Sequence, residues 1–271
     1  MTTTKPVLIS ETNLSYAWGR AFIELVDRPS ASPAPLAITL TGFRRCEPKE
    51  DGAIRAEVDK ALQALSRNSV AISGFVIFPY QPWVRRGRPP RGQFFTWCLE
   101  KLVPRLKARD SRNRRGLYFE RMMQFEYGTA DKPQAVNQLA HIIDLWHFCA
   151  NQGRRPRQSA LQASCFNPRT DHNRQPRLGF PCLQQVSFTY DDSNGLAVNA
   201  FYPTQYIFDR GYGNYLGLCH LGAFMAHELG LELVRFNCFV ARAELGDVNK
   251  SDVRALADSV RSALPAQGAI A

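Results

Sequence analysis

The sequence predicts an α+β protein, and three observations lead there. Apolar residues recur at helical intervals in two separate stretches, 13–27 and 134–149. Residues 36–43 alternate as a strand does, and the region 180–230 reads as two strands joined by a turn and followed by a long apolar helix.

Along the chain, Leu14, Trp18, Ala21, Phe22 and Leu25 give 13–27 its helical spacing, and prolines within 30–35 end it. The strand at 36–43 follows. Residues 57–65 repeat apolar positions at helical intervals, and 69–78 reads as another strand that stops at Pro79. A loop rich in arginine and proline at 82–91 leads into an aromatic helix at 94–106. In 134–149, Val136, Leu139, Ala140, Ile143, Leu145 and Trp146 mark an amphipathic helix, after which a basic loop precedes a strand at 159–166. Pro181 and Cys182 then open a strand, and Gly213 and Asn214 open the long helix.

With 271 residues, 45% of them hydrophobic, the chain buries a large core, and a single domain over 1–265 with a flexible tail of small residues at 266–271 is expected. No run approaches the roughly 18 to 20 apolar residues of a membrane helix, since the best candidate, 215–233, contains His220, His227 and Glu228. Residues 1–10 lack a charged start followed by an apolar run, so a cytoplasmic protein is expected. The seven cysteines have no Cys-x-x-Cys pair and mostly sit in apolar runs, as reduced, packed thiols do.

A net charge of +10 concentrates in 85–91, in 105–115, and in Arg154, Arg155, Arg157, Arg169, Arg174 and Arg177. Arginine dominates these clusters, which suits bidentate contact with phosphate or carboxylate; a solvated basic face is the plain alternative. No zinc pattern, RNP-like strand or helix-turn-helix supports specific nucleic-acid binding. No metal centre is expected, because His141 with His147 and His220 with His227 lack zinc-site spacing.

Cys182 and Asn214 stand out because both fall at element ends. A thiol at a strand edge acts as a nucleophile, and a carboxamide at a helix start reads the paired donor and acceptor of a ring. Together they suggest a site for a heterocycle.

The same residues carry a family resemblance. Phe180-Pro181-Cys182-Leu183-Gln184-Gln185-Val186-Ser187-Phe188 resembles the Pro-Cys-His…Gln-Phe segment of thymidylate synthases and pyrimidine nucleotide hydroxymethylases, and Cys165-Phe166-Asn167-Pro168-Arg169 resembles their Ala-Trp-Asn-Pro strand end. Gly213-Asn214-Tyr215-Leu216-Gly217-Leu218 falls where the family has Phe-Asn-Ile-Ala-Ser-Tyr, and Leu229-Gly230-Leu231-Glu232 falls on its helix-ending Gly-Leu. Arg115-Gly116-Leu117-Tyr118-Phe119-Glu120-Arg121-Met122 resembles the Gly-x-x-Tyr-Gly strand around the family's active-site tyrosine. The resemblance covers mainly 115–245.

It implies a thymidylate-synthase-like large mixed β-sheet with flanking helices, dimerising through the sheet as a homodimer. It also implies one-carbon transfer, methyl or hydroxymethyl, to C5 of a pyrimidine nucleoside or nucleotide. Cys182 would add to C6 and make C5 nucleophilic, with Arg177 or Arg157 lowering its thiol pKa. Tyr118, with a solvent network, would help remove the C5 proton, and Asn214 would hold the ring edge without itself deciding uracil against cytosine. 5,10-Methylenetetrahydrofolate is the expected cofactor.

The departures are equally specific. The family's phosphate-gripping arginine in Gln-Arg-Ser becomes Pro203 in Tyr202-Pro203-Thr204, and proline offers neither charge nor N–H. The arginine pair donated across the dimer falls on Ser159-Ala160, with Arg154, Arg155 and Arg157 as nearby substitutes. The histidine after the cysteine is Leu183, the base-contacting aspartate is Tyr206, and the late His-x-Tyr aligns with Glu244-Leu245-Gly246. Glu100, Glu120 and Glu126 compete for the role of the catalytic glutamate. Two accounts follow: an enzyme with a remodelled substrate end, where Asp209 and Arg210 are new specificity residues, or an inactive nucleotide-binding or partner subunit, with nucleic acid as a possible contact.

Overall fold

The computed structural model describes residues 5–28, 34–129, 131–172, 174 and 181–266. The expected tail beyond 266, and Arg177 with Phe180, lie outside the described residues.

Strand β1 (Val7–Glu11) leads into helix α1 (Leu14–Asp27), whose start is fixed by Asn13 accepting from the N–H groups of Ser15 and Tyr16. The buried face of α1 is the predicted one: Trp18 stacks on Phe22 at 4.8 Å between ring centroids, and its indole N–H donates to the Ile207 carbonyl at 2.8 Å. Strand β2 (Ala34–Leu40), the two-residue strands β3 (Phe43–Arg44) and β4 (Glu47–Pro48), and helix α2 (Gly52–Ala64) come next.

Residues 69–78, predicted as a strand, form helix α3 (Val70–Phe75) instead. The Ser69 side chain caps it by accepting from the Ile72 N–H, and the helix crosses a later one where Gly74, Gly213 and Gly217 meet. A β-carbon on Gly217 would lie 2.5 Å from the Gly74 carbonyl oxygen, so two backbones touch where side chains normally stand. That tertiary contact outweighs the strand propensity of the local Val, Ile and Phe residues.

Helix α4 (Tyr80–Arg85) is followed by one continuous helical stretch made of α5 (Arg91–Trp97), a π-helical turn (Cys98–Leu102) and α6 (Val103–Arg109), longer at both ends than expected. A 3₁₀ turn (Ser111–Arg115) leads to α7 (Tyr118–Met123), a helix where the resemblance implies a strand. Strands β5 (Phe125–Gly128) and β6 (Pro133–Val136) pair as a hairpin that takes the first residues of the predicted 134–149 helix, leaving α8 (Gln138–Ala150) capped by Asn137. The 159–166 strand shortens to β7 (Gln162–Ser164), and α9 (Pro168–Asp171) follows it.

Strands β8 (Gln185–Tyr190) and β9 (Gly195–Tyr206) form the predicted hairpin. A π-helical turn (Ile207–Gly211) runs into helix α10 (Tyr212–Leu229), which ends at Gly230 with φ 67°, and β10 (Glu232–Glu244) returns parallel to β9. Helix α11 (Arg254–Ala263) packs on α1 and α2.

The main sheet is mixed, in the order β1-β2-β10-β9-β8-β7. α1 and α10 pack on it, and one buried apolar cluster runs from Ile9 to Val260. Residues facing away from that core form two rows across the strands. Paired register places Leu8, Ala37, Phe239, Phe201 and Gln185 in one row, with Leu8, Phe201 and Phe239 exposed and the two Phe rings stacked at 6.0 Å. The adjacent row is polar: Thr39 donates to Asn237, and Asn237 donates to Asn199 at 2.8 Å. Among the described residues, no helix is long and apolar enough to cross a membrane.

Candidate functional site

Three segments far apart in sequence wall a single cleft of about 1020 Å³. From the first come Asn68, Ala71, Ile72, Phe75 and Val76 around α3. The second, from the end of α6 to the start of α7, gives Leu106, Arg109, Asp110, Asn113, Arg115, Gly116, Leu117, Tyr118 and Arg121. The third gives Pro181 and Cys182, with Gln205, Tyr206, Arg210 and Asn214 from the end of β9 and the start of α10. The glycine contact between α3 and α10 sets this geometry, because it seats Asn214 directly behind the residues of α3.

Cys182, expected to open a strand, sits in the segment before β8, three residues ahead of the strand's start at Gln185. Burial of Leu183 and a hydrogen bond from the Gln184 amide to the Pro181 carbonyl, 2.9 Å, hold the segment while the cysteine itself is exposed to the cleft. Tyr118, the first residue of α7, hydrogen-bonds the Cys182 sulfur, and the backbone N–H groups of Cys182 and Leu183 hydrogen-bond the Tyr118 oxygen. Burial pushes the Tyr118 phenol well above its ordinary pKa, so it stays protonated at neutral pH. The Cys182 thiol is also raised, because desolvation outweighs the opposing pull of the Arg210 charge and the Tyr118 hydrogen bond.

Among the described residues, the arginine that acts on Cys182 is Arg210, where Arg157 or Arg177 was expected. Arg157 does not line the cleft, and Arg177 is outside the described residues.

Asn214 is 5% exposed, lines the cleft, and has no side-chain hydrogen bond among the described residues. Its neighbour Gln205, which the sequence did not single out, is 1% exposed; its carbonyl oxygen accepts from the Tyr215 hydroxyl at 2.8 Å while its amide nitrogen has no partner.

Two groups of expected contacts lie elsewhere. Asp209 points away from the cleft: it sits 3.2 Å from Arg67 and accepts from the Asp247 N–H at 3.1 Å, so it fastens the π-helical turn to the loop after β10. Arg155 is held at the β8–β9 turn, donating to the Asp191 carbonyl and to Asn194 with its guanidinium beside Trp146 and Tyr190. Arg154 does not line the cleft either.

None of the three glutamates faces Cys182. Glu120 accepts from the Leu117 N–H and pairs with Lys107, so it caps α7, and with Glu126 it lines a neighbouring hollow of about 710 Å³. Glu100 lines neither. Among the described residues, the one carboxylate on the cleft wall is Asp110. Tyr206, in the position of the family's aspartate, does line the cleft, at 44% exposure.

His220 stacks on Tyr80 at 4.2 Å and faces the core, and burial lowers its pKa to about 4. The basic stretch 85–91 is largely engaged: Arg86 lies over Trp97, Arg88 over Trp83, and Arg91 pairs with Asp144 and Glu228. A comparison with protein-family models and with curated proteins returns no match to this chain.

Proposed function

We propose that the protein transfers a one-carbon unit, methyl or hydroxymethyl, to C5 of a pyrimidine nucleoside or nucleotide through a covalent bond between Cys182 and C6. The observation that carries this reading is that Cys182, Tyr118, Arg210 and Asn214 share one cleft, with Tyr118 hydrogen-bonded to the sulfur.

In this reading the Asn214 carboxamide, having no partner among the described residues, holds the ring edge and brings C6 to the sulfur. The thiol proton leaves to solvent, the sulfur bonds C6, and the C5=C6 electron pair moves onto C5 and the adjoining carbonyl. Arg210 stabilises the thiolate as it forms, and Tyr118 donates to the sulfur. After C5 has acquired the one-carbon unit its proton passes to water near Tyr118, and elimination breaks the S–C6 bond. A neutral Tyr118 suits the role of donor and water-holder better than that of base.

The cleft lies at the upper end of the range for single-ligand sites, and Ile72, Phe75, Val76 and Leu106 give it an apolar wall, so the residues fit a second planar ring beside the first. 5,10-Methylenetetrahydrofolate would be held there and would supply the carbon at the oxidation level of formaldehyde, together with the hydride that a methyl product needs; a hydroxymethyl product would take water in place of that hydride. The mixed sheet with its exposed Phe201 and Phe239 supports a thymidylate-synthase-like homodimer packed sheet to sheet, and seven free cysteines support a reducing cytosolic setting.

A second reading, an inactive subunit that binds a nucleotide, is favoured by one observation, the raised thiol pKa of Cys182. Solvent exchange of the C5 hydrogen of uridine and cytidine nucleosides and monophosphates, followed by NMR, separates the two. Exchange by the wild-type protein that disappears in Cys182→Ser is expected. Absence of exchange with every one of these compounds would overturn the enzyme reading.

A further inference from the structure

We infer that Arg109, Arg115 and Arg210 form an anion subsite in the Cys182 cleft, which takes a phosphomonoester or carboxylate carried by the molecule whose ring docks at Asn214. Only the identity of the ring rests on the pyrimidine reading; the anion subsite stands on its own geometry.

The three side chains come from three elements, the end of α6, the 3₁₀ turn and the π-helical turn before α10, and all line the same hollow. None has an acidic partner among the described residues. Some arginines elsewhere do find carboxylates: Arg20 with Glu11, Arg55 with Glu50 and Asp59, Arg67 with Asp209, Arg121 with Asp171. Asp110, the one described carboxylate on the cleft wall, is itself engaged in another interaction. Three like charges on the wall of a concave site outnumber its one described carboxylate, so they repel one another and focus a positive potential, and an entering anion relieves that repulsion.

Arginine also gives the anion two parallel N–H donors, which a flexible lysine does not. The charge is distributed in a useful way, since Arg210 is close enough to act on the Cys182 sulfur while Arg109 and Arg115 are exposed on the opposite segment. A ligand spanning them presents its ring to the thiol and its anion to the rim.

The test follows protection of Cys182 from iodoacetamide, read by mass spectrometry, together with calorimetric binding. Probes are inorganic phosphate, uridine 5′-monophosphate, uridine and glutarate, against wild type, Arg115→Gln, Arg109→Gln and Arg115→Lys. Both arginines are exposed, so thermal melting of the variants stays unchanged. Phosphate and the monophosphate are expected to bind wild type and to lose about tenfold in affinity with each glutamine variant, partly restored in Arg115→Lys. Binding by glutarate in place of phosphate, with the same dependence on the arginines, also supports the subsite and assigns it to a carboxylate. Equal protection by uridine and its monophosphate in wild type and variants overturns the subsite and leaves the pyrimidine reading intact. Arginine-dependent phosphate binding with no protection by either pyrimidine does the reverse.

Discussion

The Tyr118 hydroxyl and the Cys182 thiol are hydrogen-bonded to each other, one at the start of α7 and the other just before β8. The contact is also tied to the backbone, because the N–H groups of Cys182 and Leu183 meet the same phenolic oxygen. The tyrosine thus positions the sulfur as well as stabilising its charged form.

Removing that donor raises the thiol pKa further. Tyr118→Phe is expected to move the pH profile of Cys182 alkylation by iodoacetamide to higher pH, and Arg210→Gln to move it the same way, because hydrogen bonding and positive charge both favour the thiolate. The wild-type profile itself is expected to lie above that of a free cysteine, because burial raises the thiol. A Tyr118→Phe profile that coincides with wild type, or falls below it, would show that the hydroxyl does not act on the sulfur.

Gly217→Ala places a β-carbon 2.5 Å from the Gly74 carbonyl oxygen, so α3 and α10 must separate. A loss of about 1–3 kcal/mol of stability is expected in denaturant unfolding, with a weaker grip on any ligand held by Asn214. Unchanged stability would mean that the helices are not in contact there.

This crossing also explains what the sequence concealed. The α1 face and the hairpin leading to α10 are legible because their burial patterns follow local periodicity, and Cys182 and Asn214 stand out as polar groups at the ends of such elements. α3 is not legible: Val70, Ile72, Phe75, Val76 and Phe78 read as a strand, and the glycine contact that makes the segment a helix involves residues some 140 positions later. Asp209 and Arg210 are neighbours in sequence, yet successive residues of a helical turn point in different directions, so one meets Arg67 and the other the cleft. The basic stretch 105–115 is visible as charge, but its place beside Cys182 comes only from the path between α6 and α7.

Asn214→Asp replaces a group that both donates and accepts with one that only accepts. Cytosine protonated at N3 offers that carboxylate two donors, whereas uracil offers one donor beside a repelling O4. The binding preference, measured by competition between uridine and cytidine monophosphates, is expected to shift about tenfold toward cytosine. An unchanged ratio would remove Asn214 from the ring edge.

The stacked His220 is neutral in the fold, with its pKa lowered from 6.5 to about 4. A lowered pKa means that the unfolded chain binds the proton more tightly, so this contribution is present in full above pH 6.5 and is lost as pH falls toward 4. Its upper bound is about 3 kcal/mol. Unfolding free energies between pH 7 and pH 4 are expected to fall less steeply in His220→Phe than in wild type. Parallel curves would show that the imidazole titrates freely in the fold.

The outer face of the sheet makes the last prediction. Phe201 and Phe239 are 38% and 48% exposed and stacked on each other, beside a hydrogen-bonded row of Thr39, Asn237 and Asn199. Exposed aromatic side chains at the centre of a sheet are stabilised when a second surface excludes water from them, and a second copy of the same face offers a matching row. Phe239→Asp sets two like charges near the centre of such an interface, so sedimentation equilibrium should report a dimer dissociation constant weakened by about thirtyfold or more. Because the side chain is half exposed, the fold of each subunit is expected to lose no more than about 0.5 kcal/mol. A wild-type protein that sediments as a monomer at micromolar concentration, or a variant that remains dimeric, would mean that the subunits do not associate through this face.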